Sequence, residues 1–137
     1  MKAVYYYEYY PHYMGTRTAS IRFTPKQFDT LIDLAKAAIK ENKSLDGAEG
    51  DADEVLRDHI EAIEKSSGEK VYALDDALLN FYDTPRRPSN ITSALKRKSV
   101  WSGEWEEGSF AFASTKRKAV KAVVAIEAEH AEDEFDW

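Results

Sequence analysis

The chain has 137 residues, the length of one ordinary domain, and its 43% hydrophobic and 12% aromatic content is enough to form a core. It contains no cysteine, which excludes disulfides, thiolate metal sites and cysteine nucleophiles. No apolar run approaches the roughly 18 residues of a membrane helix, and the N-terminus lacks a secretory pattern. We therefore expect one compact, cytoplasmic domain.

The charges are segregated along the chain. The net charge is -6, which alone argues against a nucleic-acid binder. Residues 86 to 121, however, hold nine Lys and Arg against three Glu, whereas the rest of the chain holds ten basic residues against twenty-two acidic ones. A basic region of net +6 therefore stands against a remainder of -12.

The chain opens with a predicted β-hairpin. Residues 3 to 10 alternate, with one face formed by Tyr5, Tyr7 and Tyr9 and the other by Val4, Tyr6, Glu8 and Tyr10. A turn with Pro11 and Gly15 leads to a second alternating run, residues 16 to 23. Tyrosines of such a strand can stack on unpaired bases, although packing of their rings in a half-buried sheet is the more frequent role.

Two helices follow in the sequence. Thr24 and Pro25 mark the start of the first, whose apolar stripe continues to about residue 41. The second is predicted over residues 52 to 65, capped by Asp51 or Asp53, with its inner face formed by Val55, Leu56, Ile60 and Ile63. Its acidic residues are candidates for docking a basic partner, although a solvated helix face is the more common explanation. They are Asp51, Asp53, Asp58, Glu61 and Glu64.

Residues 74 to 101 combine helical spacing, a turn with Pro85 and Pro88, and a basic cluster. The pattern predicts two short helices, the first with Leu74, Leu78 and Phe81 at helical spacing and the second with Ile91, Ala94 and Leu95. With Ile91, Ala94 and Leu95 buried in the second helix, its polar side chains must point outward. The outward set that is suited to nucleic acid is Thr92, Ser93, Lys96 and Arg97.

This segment and its flanks resemble a winged helix. Residues 52 to 65 match its first helix, 70 to 73 its short strand, the two short helices its helix-turn-helix, and 100 to 114 its hairpin wing. The resemblance implies DNA binding through the second short helix. The hairpin tip carries Glu104, Glu106 and Glu107 instead of the usual Lys or Arg, so the resemblance does not imply that the wing contacts phosphate. The predicted nucleic-acid-binding residues are Arg86, Arg87, Thr92, Ser93, Lys96, Arg97, Lys98, Lys116, Arg117 and Lys118.

The last part of the chain begins with the predicted hairpin of residues 100 to 114. Its Trp101 and Trp105 are a candidate partner-binding surface, although core packing is the more frequent fate of tryptophan. Residues 115 to 131 predict a helix, and their alternation leaves a strand open. Their basic start opposes the helix macrodipole, which suggests an anionic partner or the acidic helix of residues 52 to 65. Residues 132 to 137 form an acidic tail.

Sequence motifs for catalysis are missing. His12, His59 and His130 have no metal-ligand spacing, and the chain has no phosphate-binding glycine loop. We therefore expect no cofactor and no metal, and we find no sequence support for an enzyme.

The sequence predicts an α+β fold: an N-terminal β-hairpin and helix (residues 1 to 41), a winged-helix-like module (52 to 114), a C-terminal helix and an acidic tail, all in one domain. The leading hypothesis is that the protein binds nucleic acid. A homodimer is one possible form of it. The alternative is an acidic protein-binding module, such as a phage-type inhibitor, a DNA mimic or an immunity protein.

Overall fold

A computed structural model describes residues 3–11, 17–44, 51–72, 74–83, 95, 99–104 and 108–135. It confirms the α+β class, with an N-terminal β-hairpin and a C-terminal helix. The elements, in chain order, are β1 (Val4–Tyr10), β2 (Arg17–Phe23), α1 (Pro25–Ser44), α2 (Asp51–Ser67), α3 (Leu74–Asp83), β3 (Val100–Glu104), β4 (Ser109–Ala113) and α4 (Lys116–Phe135).

The four strands form one antiparallel sheet in the order β2-β1-β4-β3. The two hairpins meet through β1 and β4, so the hairpin of residues 100 to 113 is half of the sheet. The 52 to 114 segment is thus built into the same sheet as the N-terminal hairpin.

The main core lies between one sheet face and the layer of α1, α2 and α3. Alternation in β1 and β2 places Val4, Tyr6, Ile21 and Phe23 on this face, as the sequence predicts for these strands. The helices contribute aliphatic residues at helical spacing, including Leu31, Leu56, Leu74 and Leu78, and β3 and β4 contribute Trp101, Phe110 and Phe112.

The opposite sheet face is covered by α4, which packs chiefly on β4, β1 and β3. Ala119 and Val123 of the helix are buried against Ala111 and Ala113 of β4. Small side chains on both sides allow the close approach. Because α4 covers one face of β4 and the main core covers the other, every residue of β4 is buried. The helical alternative for residues 115 to 131 is therefore the one observed, and the helix continues to Phe135, into the predicted acidic tail.

Side chains cap the helices. Thr24 and Gln27 exchange hydrogen bonds across the start of α1, with the Thr24 N–H donating to Gln27 Oε1 at 2.9 Å and the Gln27 N–H donating to Thr24 Oγ1 at 3.2 Å. At α2 the first N–H groups, of Asp51 and Ala52, donate to the Glu41 carboxylate of α1 at 3.2 and 2.7 Å. The predicted caps of α2 were wrong, because Asp51 and Asp53 lie inside the helix.

Two further predictions need correction. Residues 70 to 72 form no strand, because the Val71 and Tyr72 N–H groups donate to the carboxylates of Glu64 (3.1 Å) and Glu8 (2.7 Å) instead of to a sheet. In α2, Val55 is 50% exposed, and Asp53 takes the predicted inner position beside Leu56, Ile60 and Ile63.

The short strand that the winged-helix resemblance implies is therefore absent at residues 70 to 72. The second short helix, predicted around Ile91, Ala94 and Leu95, lies outside the described residues except for Leu95. Leu95 is helical and packs against the core, as expected of its inner face. The remainder of that resemblance stays a prediction.

Candidate nucleic-acid interface

The structure describes three of the ten predicted nucleic-acid-binding residues. Lys116, Arg117 and Lys118 are exposed on the first turn of α4. The rest lie outside the described residues; they are Arg86, Arg87, Thr92, Ser93, Lys96, Arg97 and Lys98. Because α4 and α2 cover opposite faces of the sheet, the suggested pairing of the 116 to 118 cluster with the acidic helix is wrong.

One row of paired residues crosses the whole sheet. Arg22 of β2 pairs with Tyr5 of β1, Tyr5 pairs with Ala113 of β4, and Ala113 pairs with Val100 of β3. Strand pairing therefore fixes these four positions at one end of the sheet.

Basic residues of two elements lie at this row. Arg22 stands at its β2 end, and two residues separate the end of β4 at Ala113 from the start of α4 at Lys116. Two strand spacings separate Arg22 from Ala113, about 10 Å. We call Arg22, Lys116, Arg117 and Lys118 the basic corner. All four side chains are exposed.

The sheet face beneath α4 is polarised along its length. The row at the far end contains Thr18, Tyr9, Ser109 and Glu104. There the Ser109 hydroxyl donates to Glu127 Oε1 of α4 at 2.7 Å, which also fixes the helix direction across β4. Four residues of strand separate the two rows, about 13 Å. On this sheet face, the described charges named here are therefore basic at the Arg22 row and acidic at the far row.

An arginine and a tyrosine stack at the basic corner. Cζ of Arg22 lies 5.9 Å from the ring centroid of Tyr5, within the range of a cation–π contact. Tyr5 is half-buried and Arg22 is exposed. The next tyrosine on this face, Tyr7, packs with the Ala111 and Ala119 cluster, and burial raises the pKa of its phenol, an effect that its hydrogen bond with Thr18 partly offsets. Tyr7 therefore belongs to the packing, whereas Tyr5 with Arg22 reaches the surface.

The acidic residues of the alternative hypothesis divide into two groups. Asp51, Asp58 and Glu61 are exposed on the outer side of α2. Asp53, by contrast, is 7% exposed, and the Glu64 carboxylate accepts the Val71 N–H. Asp53 and Glu64 are therefore parts of the fold and are not available to a partner.

The tryptophan surface was also wrong in part. Trp101 is 5% exposed and packs against Phe110 and Phe112, with ring centroids at 5.2 and 5.9 Å. It belongs to the core. Trp105 lies outside the described residues.

Sequence reasoning assigned no binding role to Arg22 and considered base stacking for Tyr5, Tyr7 and Tyr9 as the less frequent role. The contact between Tyr5 and Arg22 depends on the register of β1 and β2. The positions of Pro11 and Gly15 did not define that register, because counting outward from them pairs Tyr5 with Ile21.

No group of three His, Cys, Asp or Glu residues in the described part of the chain could hold a metal ion. Within the same residues, no helix combines the length and the apolar character needed to cross a membrane. No family model matches the sequence, and comparison with curated proteins and with solved structures gave no significant match.

Proposed function

We propose that the protein binds nucleic acid, with the basic corner as its contact to the phosphate backbone. The observation that carries the proposal is the row from Arg22 to Ala113, because strand pairing brings Arg22 to the end of the sheet at which the helix with Lys116, Arg117 and Lys118 begins. A solvated charge run within one segment gives no such convergence. The second short helix, predicted around Ile91, Ala94 and Leu95, is proposed as a further part of the same surface.

Charge segregation makes binding compatible with a net charge of -6. The described acidic residues nearest on the α4 face, Glu104 and Glu127, lie at the far row, about 13 Å away. That distance exceeds the Debye length of about 8 Å at physiological salt, so their repulsion is largely screened.

We call Lys116, Arg117 and Lys118 the α4 cluster. Their position at the start of the helix is unfavourable for its stability, which supports a role in binding. Basic residues in a first helical turn oppose the macrodipole and cost about 0.3 to 1 kcal/mol each at low ionic strength. Thr115 Oγ1 accepts the Lys118 N–H at 3.2 Å, so the turn is capped without help from the cations. Replacing Lys116, Arg117 and Lys118 by Gln should therefore preserve or raise stability while it weakens binding.

The test compares two variants with the same change of net charge. The first replaces Lys116, Arg117 and Lys118 by Gln. The control replaces three exposed lysines on other surfaces, Lys26, Lys65 and Lys70.

Fluorescence anisotropy with a labelled oligonucleotide is measured at several salt concentrations. The first variant should reduce the slope of log affinity against log salt by about 2 to 3, at about 0.7 to 0.9 per lost phosphate contact. The control should leave the slope nearly unchanged. Equal effects of the two variants, or no binding by the unmodified protein, would refute the proposal.

A second candidate function is the docking of a basic protein on α2, favoured by the exposure of Val55. Val55 is 50% exposed on the same side of the helix as Asp51, Asp58 and Glu61, so an apolar contact is surrounded by carboxylates. Replacing the three acids by Lys separates the two functions. Under the nucleic-acid proposal this reversal strengthens non-specific DNA binding, because it removes a repelling field; a docking module would lose its partner and leave DNA affinity unchanged.

A further inference from the structure

An open strip of sheet lies beside α4. The helix packs chiefly on β4, β1 and β3, and the outer side of β2 remains accessible, with Thr18 and Arg22 exposed and Ser20 half-buried. Tyr5 of β1 borders the strip at the basic corner. The strip is about one strand spacing wide, roughly 5 Å, because most of β1 lies beneath α4.

The Arg22 and Tyr5 pair presents two kinds of contact at one point. A guanidinium that lies on an aromatic ring keeps its second face for stacking on a base, while its N–H groups reach a phosphate. Lys116, Arg117 and Lys118 lie on the first turn of α4, which begins at the same end of the sheet. A base and its flanking phosphates can therefore be held together at this end of the strip.

The geometry favours an unpaired strand over a duplex. In a duplex, the faces of the bases are occupied by neighbouring bases, so a stacking platform has nothing to accept. The contact of Arg22 with Tyr5 therefore suits an unpaired base, which has a face free for stacking.

We infer that the ligand is single-stranded nucleic acid, with one unpaired base stacked at Arg22 and Tyr5 and its phosphates held by the α4 cluster. This inference rests on the proposed function and adds the class of nucleic acid and the stacking site.

The experiment measures anisotropy with two probes, an oligothymidine of about 12 nucleotides and a mixed-sequence duplex of the same length. The unmodified protein should bind the single strand at least tenfold more tightly at physiological salt. Tyr5→Leu should weaken single-strand binding by about 5- to 150-fold, which corresponds to about 1 to 3 kcal/mol per stacked base. The salt slope should stay the same, since no phosphate contact is removed.

Two variants serve as controls. Tyr5→Phe keeps the ring and should retain single-strand affinity within about twofold, which excludes a role of the hydroxyl. Tyr72→Leu removes the ring from a matched pair, because Arg17 Cζ lies 5.1 Å from the Tyr72 centroid at the other end of β2. It should leave affinity unchanged. Urea denaturation of each variant verifies that the fold is retained, and if Tyr5→Leu unfolds, Arg22→Lys, which keeps the charge and loses the stacking plane, replaces it.

The outcomes separate the inference from the proposed function. If duplex and single strand bind equally, and Tyr5→Leu has no effect while the Lys116, Arg117 and Lys118 variant reduces the salt slope, the inference fails and the proposed function stands. If Tyr5→Leu and Tyr72→Leu weaken binding equally, the stacking site is refuted. If neither probe binds, both are refuted.

Discussion

Tyr6→Phe removes one donor from a buried carboxylate. The Tyr6 hydroxyl, in a fully buried side chain, donates to Glu8 Oε1 at 2.9 Å, and the Tyr72 N–H donates to Glu8 Oε2 at 2.7 Å. Glu8 itself is only 2% exposed. Burial, followed by the adjacent Glu8 carboxylate, raises the pKa of Tyr6 well above its usual value of 10.0, so the hydroxyl carries its proton at neutral pH.

The size of the effect follows from the charge of the acceptor. A hydrogen bond to a charged group contributes about 1.5 to 3 kcal/mol, and the Phe ring fills nearly the same volume, so the cavity contribution is small. We expect Tyr6→Phe to lower the free energy of unfolding by about 1.5 to 3 kcal/mol. In a chain of this size, each kcal/mol lost from the free energy of unfolding lowers the melting temperature by roughly 4 °C, so we expect a fall of about 6 to 12 °C.

Urea denaturation at pH 7, followed by circular dichroism, measures this difference, and the m-value should not change. Tyr7→Phe is the matched control, because Tyr7 is the next residue, lies on the opposite sheet face and shares a neutral hydrogen bond with Thr18. It should cost about 0.5 to 1.5 kcal/mol. In a Glu8→Gln background, the cost of Tyr6→Phe should fall to the same range. If Tyr6→Phe costs no more than Tyr7→Phe, the charged hydrogen bond does not stabilise the fold as described.

Three further outcomes are expected. Gly108→Ala should destabilise by about 1 to 3 kcal/mol or more in urea titrations, since its Cβ would overlap the Tyr9 carbonyl oxygen, a backbone atom that cannot turn away. Ser99→Gly should stabilise by up to about 1 kcal/mol, since Ser99 has a φ of 62°, a region that favours glycine; no gain in melting temperature would contradict this. The free energy of unfolding should fall as the pH rises above about 10, by up to about 1.4 kcal/mol per pH unit. Tyr6 ionises there in the unfolded chain but keeps its proton in the folded protein, so Tyr6→Phe should make the fall shallower.

Periodicity predicted most of the fold, because local spacing already shows which face of an element is apolar. The stripes of α1 and of residues 74 to 81 and the alternation of both hairpins gave the elements within a few residues. Helical periodicity also predicts that Asp53 faces inward, because it precedes Leu56 on the inner face of α2 by three residues. The prediction preferred Val55 because it is apolar, and was wrong for that reason.

The misassigned strand shows what local sequence lacks. Val71 and Tyr72 have high strand propensity, but their N–H groups donate to Glu64, seven residues earlier, and to Glu8 at the other end of the chain. Such hydrogen-bond partners depend on the tertiary structure, and strand propensity does not predict them. The pairing of β1 with β4 also depends on tertiary structure. Each hairpin has two edge strands, and the sequence does not predict which edge pairs with the other hairpin. The candidate interface needs that pairing, so it was not predictable from the chain alone.

The two ends of α4 differ in what their charges do for the fold. At the acidic end, Glu127 accepts a hydrogen bond from Ser109 and so ties the helix to β4. At the basic end, Thr115 caps the turn, and the three cations add a dipole cost. Lys118 Nζ also donates to Ser114 Oγ at 3.5 Å, so one of the three cations has a partner within the fold. In the presence of a polyanion, each phosphate contact would gain free energy from counterion release. We therefore expect the basic turn to contribute more to the proposed phosphate contact than to the stability of the fold.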